Sequence, residues 1–138
     1  MNIHFERSRT IEELEGQRWP DPPPEATGLV RSVHRLRKRP IGDLTAYELG
    51  RLIGQDIALP WTLPLALEIL HETAANQSRG GFYDDDLLSA ALTRGPDVWV
   101  TFPEPATKMR EILAVLTDLS PCIKRDVSRF LEASQGRD

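Results

Sequence analysis

Apolar side chains recur at helical spacing through most of the 138-residue chain, and that recurrence locates its elements. Leu49, Leu52, Ile53 and Ile57 lie three, one and four positions apart, which draws a single stripe along one side of a helix. Thr45-Ala46-Tyr47-Glu48 precedes them with the threonine and glutamate spacing of a capping box, so a helix is predicted to start there. Farther on, Leu63, Ala66, Leu67 and Leu70 share one face while Leu65 and Ile69 occupy another. A helix apolar over most of its circumference belongs inside a domain. This segment is predicted to be the central helix, with Pro64 in its first turn, where a missing amide donor costs nothing. Met109, Ile112, Leu113, Leu116 and Leu119 repeat the helical period, as do Ile123, Val127, Phe130 and Leu131 after Ser120-Pro121. Those two segments predict a C-terminal helical hairpin.

Polar and proline-rich punctuation sets the remaining elements. Thr10 and Glu13 have capping-box spacing, so a short helix is predicted through Leu14, closed by Gly16. Trp19 to Glu25, WPDPPPE, holds four prolines and reads as a stiff connector. Thr27 caps a second helix that must stop near Arg39, because Pro40 disfavours helical geometry at the residue before it. Leu59-Pro60-Trp61-Thr62 is predicted to form a corner, and the polar stretch Asn76 to Gly81 a turn. Leu87, Leu88, Ala91 and Leu92 predict a short helix ended by Gly95-Pro96. Val98 to Phe102 has strand character but no partner run of similar quality, so it is read as extended packing. Gly50 and Gly54, one turn apart, predict the close approach of a neighbouring helix.

The resulting expectation is an all-α fold: a single compact domain over residues 1–138, of about six or seven short helices with proline-rich connecting loops. Residues 1–26 would form an N-terminal arm with a short helix and the proline connector, and residues 27–136 the helical core.

Charge and cysteine usage narrow the setting. A net charge of −4 and a pI near 5.4 argue against general binding to polyanions, so no direct contact with nucleic acid is expected. The single cysteine, Cys122, permits no internal disulfide, and there is no CxxC pair, which suits a reducing compartment. No signal-peptide core and no run of roughly 20 apolar residues is visible, so a cytoplasmic protein without a membrane span is expected.

Candidate chemistry is sparse. His71-Glu72 opens like a zincin HExxH, but position 75 is Ala75, and without the second imidazole a zinc ion has no helical clamp. Phosphate-cradling loops and a nucleophile elbow are missing, and Cys122 has no recognisable histidine partner among His4, His34 and His71. Catalytic residues, cofactors and metals are therefore expected to be absent, and the protein is not expected to be an enzyme. Two charged features remain. Arg31, Arg35 and Lys38 share a helix face, with Arg37 and Arg39 close by and no acidic residue between Ala26 and Gly42. That face reads as solvated or internally paired, the alternative being a helical adaptor or nucleic-acid-binding regulator that uses residues 31–39. Asp84, Asp85 and Asp86 stand before an apolar helix and beside Phe82 and Tyr83. One aspartate is predicted to cap that helix, the others favouring its positive end. Aromatic area with fixed negative charge also suits a contact with a basic protein, whereas a metal site would need further donors from elsewhere.

On these residues the chain resembles the all-helical immunity proteins of bacterial contact-dependent growth inhibition (CDI) systems. The resemblance is carried by Leu44, Glu48, Leu49, Arg51, Leu52, Ile53 and Gln55 in one helix, and by Pro64, Ala66, Leu67 and Leu70 in the next. It continues in the turn Tyr83, Asp85, Asp86, Leu87 and Leu88, and in the early Leu14, Glu15, Gly16, Trp19 and Pro20. Asp85 stands where that family tends to carry glycine. The resemblance implies a small cytoplasmic inhibitor that binds the C-terminal toxin domain of a cell-surface effector, often a nuclease, and blocks it. It places Tyr83, Asp84, Asp85 and Asp86 in or beside the toxin-binding surface, with a monomer as the starting expectation.

Overall fold

The computed structural model describes residues 7–77 and 84–135, and within them the chain is helical with no β-sheet. Helix α1 (Ile11–Glu15) is short enough to depend on its caps. Thr10 Oγ1 accepts from the Glu13 amide at 3.1 Å while the Glu13 carboxylate accepts from the Thr10 amide at 2.9 Å. Gly16 then closes the helix in a left-handed conformation, φ 67°. The proline connector leads to α2 (Gly28–Leu36), capped by Thr27, and a 3₁₀ turn (Ile41–Asp43) follows Pro40. Here the chain passes so close to residue 7 that a Cβ on Gly42 would lie 2.8 Å from Arg7 Cβ, so glycine is required there. The capping box predicted at Thr45 and Glu48 starts α3 (Ala46–Gly54), whose Leu49, Leu52 and Ile53 are buried.

The predicted corner at Leu59 to Thr62 lies earlier than expected. The chain reverses at Gln55 to Ala58, where Asp56 and Ala58 take left-handed φ values of 56° and 53°, and α4 (Leu59–Gln77) begins at once. Pro60 falls in the first turn, while Pro64 sits inside the helix and buried. The missing Pro64 amide leaves the Pro60 carbonyl without its usual donor. α4 is otherwise the central helix predicted, with Leu63, Ala66 and Leu67 fully buried.

Three further expectations are corrected. Gly95-Pro96 starts a helix instead of only ending one: Gly95 is the N-cap and Pro96 the first residue of α6 (Pro96–Thr101), which follows α5 (Asp85–Leu92). The stretch read as extended, Val98 to Phe102, lies almost wholly in that helix. Its β-branched residues are overridden by the burial of Trp99, whose ring meets Phe130 edge-on at 4.9 Å. The last helices, α7 (Pro103–Val115) and α8 (Pro121–Gln135), do not form a tight hairpin. α7 lies mainly along α4, and α8 against α5 and α6. Each apolar face is covered by the earlier helices, and α7 and α8 touch only slightly. The Gln77 amide holds the loop between them by donating to the Thr117 carbonyl at 2.7 Å and accepting its amide at 2.9 Å. Among the described residues there are eight α-helices, slightly more than the six or seven expected, and α4 packs against α3, α5 and α7. No helix among them is long and apolar enough to cross a membrane.

Candidate functional site

Asp84 does what its position predicts. Its Oδ1 accepts the Leu87 amide at 3.0 Å and caps α5. Asp85 and Asp86 occupy the first turn, exposed, with no ion pair or side-chain hydrogen bond to another described residue. Asp85, in the place of the family's glycine, is the first residue of the helix and is not among the positive-φ residues, so the side chain is accommodated without strain. Tyr83 and Phe82 lie outside the described residues, which separates the aromatic half of the predicted site from its acidic half. No three His, Cys, Asp or Glu side chains among the described residues come together as a metal site.

The aspartates border a groove that the sequence pattern did not reveal. It lies between α3 and α5, has a volume of about 370 Å³, and is lined by Tyr47, Gly50, Arg51 and Gly54 on one wall and by Asp84, Asp86, Leu87 and Ala90 on the other. Leu29 of α2 closes one end. Tyr47 is 70% exposed, the most exposed large apolar or aromatic side chain described. Arg51 donates to its hydroxyl at 3.1 Å and to Ser32 Oγ at 3.2 Å, with the guanidinium carbon 5.4 Å from the ring centroid. A signal was available. Tyr47, Gly50, Arg51 and Gly54 follow one another at three, one and three positions, a helical face turned away from Leu49, Leu52 and Ile53. The neighbouring helix predicted for the glycines is α5, which packs against α3 at Gly50 but leaves Gly54 open, and neither glycine is required for that packing. A Cβ at Gly50 would make ordinary contact with Leu87 and Ala90, and one at Gly54 would meet nothing within 4 Å.

The basic stretch fares differently from its appearance in sequence. Arg37 is completely buried: it pairs with Glu15, donates to the Gln17 carbonyl at 2.9 Å and lies 4.0 Å over the Trp19 ring. It anchors the segment after α1 to α2, and His34 also meets Trp19 edge-on at 5.1 Å. Arg39 pairs with Glu48 at 2.8 Å, Lys38 with Asp21 at 3.6 Å, and Arg31 donates to the Ala26 and Pro24 carbonyls. These partners are glutamates, one distant aspartate and backbone, none of them from the run at Asp84. His71 and Glu72 are surface residues of α4, and Cys122 is exposed.

Two glutamates are held below their usual carboxylate range. The backbone amide of Thr10 donates to Glu13, and that of Thr45 to Glu48, with Arg39 adding attraction at Glu48; each hydrogen bond favours the charged form. Both belong to capping boxes, so these shifts mark helix starts and not chemistry.

An exposed groove with a tyrosine on one wall and two aspartates on the other is a surface suited to binding a partner. Residues 13–109 match the family model of CDI immunity proteins, and the chain belongs to that family. The match runs from α1 into α7 and includes both walls of the groove. No curated protein and no solved structure matches the chain. Membership gives the protein an immunity role toward a CDI toxin.

Proposed function

We propose that the protein binds the C-terminal toxin domain of its cognate CDI effector, a nuclease, and neutralises it in the cytoplasm by occupying its surface, without catalysis of its own. The observation that carries this reading is the family match over residues 13–109. The contact surface includes Tyr83, Asp84, Asp85 and Asp86. It is supported by the two exposed carboxylates at the start of α5, which have no described ion-pair partner of their own. A nuclease must attract phosphates, so its cleft is basic, and a protein of net charge −4 approaches it down a favourable field. Complementary charge speeds association, while a buried aromatic and apolar centre slows release.

Titration calorimetry against the toxin domain encoded upstream, paired with growth rescue on co-expression, tests this. A dissociation constant of nanomolar order or below, about −12 kcal/mol or stronger, with rescue is expected. A folded, active toxin that gives neither heat nor rescue would overturn it.

A further inference from the structure

We infer that the groove between α3 and α5 is a docking slot for a lysine or arginine side chain of the toxin domain, with Tyr47 as the anchor beside it. The inference rests on the immunity reading and adds the face of α3 to the footprint.

The groove floor is open because Gly50 and Gly54 have no side chains. Neither has positive φ, and neither is excluded from carrying a Cβ by a clash with its neighbours. In a helix glycine is among the least favourable residues, and here neither packing nor backbone conformation requires it. The visible effect of both glycines is the slot itself. Beside it stands Tyr47, 70% exposed yet tethered through its hydroxyl to Arg51, which is in turn tethered to Ser32. An exposed ring already held in place loses little rotamer freedom on binding, which is how an aromatic anchor becomes energetically dominant.

Chemistry selects the occupant. Asp86 and Asp84, whose Oδ1 also caps α5, place two carboxylates on the lining against the one guanidinium of Arg51, which donates to Tyr47 and Ser32. Leu87, Ala90 and the Tyr47 ring supply apolar walls between them. A long aliphatic stem with a cationic head satisfies both parts: the stem lies along the walls and the head reaches the carboxylates. A nuclease surface that binds phosphate presents such side chains.

Two substitutions probe the slot. Gly54→Leu fills it from a position where a Cβ meets nothing, and Tyr47→Ala removes the anchor at a residue outside the core. Val100→Ser, at an exposed α6 residue away from the groove, is the control. Each is titrated against the upstream-encoded toxin domain after its thermal unfolding is recorded, and Tyr47→Ala keeps the test valid should Gly54→Leu misfold. Gly54→Leu and Tyr47→Ala are expected to weaken binding by about tenfold or more, with Val100→Ser within about twofold of the unsubstituted protein. Binding by both groove variants within about twofold would overturn the slot alone. No binding by the unsubstituted protein would overturn the immunity reading and the slot with it. A dimer of the unsubstituted protein that Gly54→Leu converts to monomers would overturn the assignment in favour of a second copy of this chain.

Discussion

The basic run from Arg31 to Arg39 and the acidic run from Asp84 to Asp86 resemble each other in sequence, each a short block of like charge on a helix. Their fates in the fold are opposite. The basic run is largely engaged by the protein's own groups: Arg37 is buried beneath Trp19, Arg39 and Lys38 are paired at the surface, and Arg31 donates to backbone carbonyls. The acidic run commits Asp84 to its helix and leaves Asp85 and Asp86 exposed without an ion-pair partner among the described residues, Asp86 lining a groove together with Asp84. A buried charge that loses its partner destabilises the fold, whereas charge left exposed at a concave surface is available to a partner.

The comparison is broken most severely at Arg37. Arg37→Ala removes a buried side chain together with its pairing to Glu15, its hydrogen bond to Gln17 and its contact with Trp19. It is expected to destabilise the protein by about 3 kcal/mol, read as a lower urea midpoint, with toxin affinity unchanged where the protein remains folded. The opposite split is expected at the acidic run. Replacing Asp84 and Asp85 together by Ser keeps a capping side chain at position 84, so the unfolding midpoint should hold while toxin affinity falls about tenfold, or about 1.4 kcal/mol, in calorimetry. Unchanged affinity would remove the aspartates from the footprint.

Smaller effects sharpen the same contrast. Thr45→Ala should cost about 1 kcal/mol by loss of the α3 cap, measurable by thermal unfolding. The glutamates of the two capping boxes predict acid sensitivity. Their folded pKa values are lowered, so the stability they contribute is present above the ordinary value of 4.5 and is lost as pH falls through the lowered values. Urea midpoints should therefore decline below about pH 4.5, and Glu48→Gln should flatten part of that decline; an identical profile in the variant would count against the assignment. The smallest effect is expected on the outer basic face. Arg35→Ala and Lys38→Ala, at exposed residues, should each change stability by less than about 0.5 kcal/mol and leave toxin affinity unaltered. A marked loss of affinity there would move the footprint to α2.

Much of the fold was legible because its signals are local. Thr10, Thr27, Thr45 and Asp84 each cap the helix they precede, and Gly16 ends the first, as short-range hydrogen bonding requires. The misreadings share a cause. Val98 to Phe102 is ambiguous because five residues carry too little periodicity to outweigh β-branched composition, and only the seat for Trp99 against Phe130 settles it as helix. Pro64 looked like a helix start because it is a proline, yet the left-handed residues Asp56 and Ala58 begin α4 five residues before it. Of the candidate site, Asp84 to Asp86 were legible as helix start and acidic patch. The groove was not, since it needs α3 and α5 side by side.

Sequence alone therefore determined the all-α class, the central helix, the caps, the acidic helix start and the resemblance to CDI immunity proteins, all of which depend on residues near one another in the chain. Tertiary structure decided which charges are consumed and which are free, and it turned Tyr47, Gly50 and Gly54 from helix residues into the wall and floor of a groove. Burial and concavity are properties of helices packed together, and periodicity along one chain identifies which face is apolar without naming its neighbour.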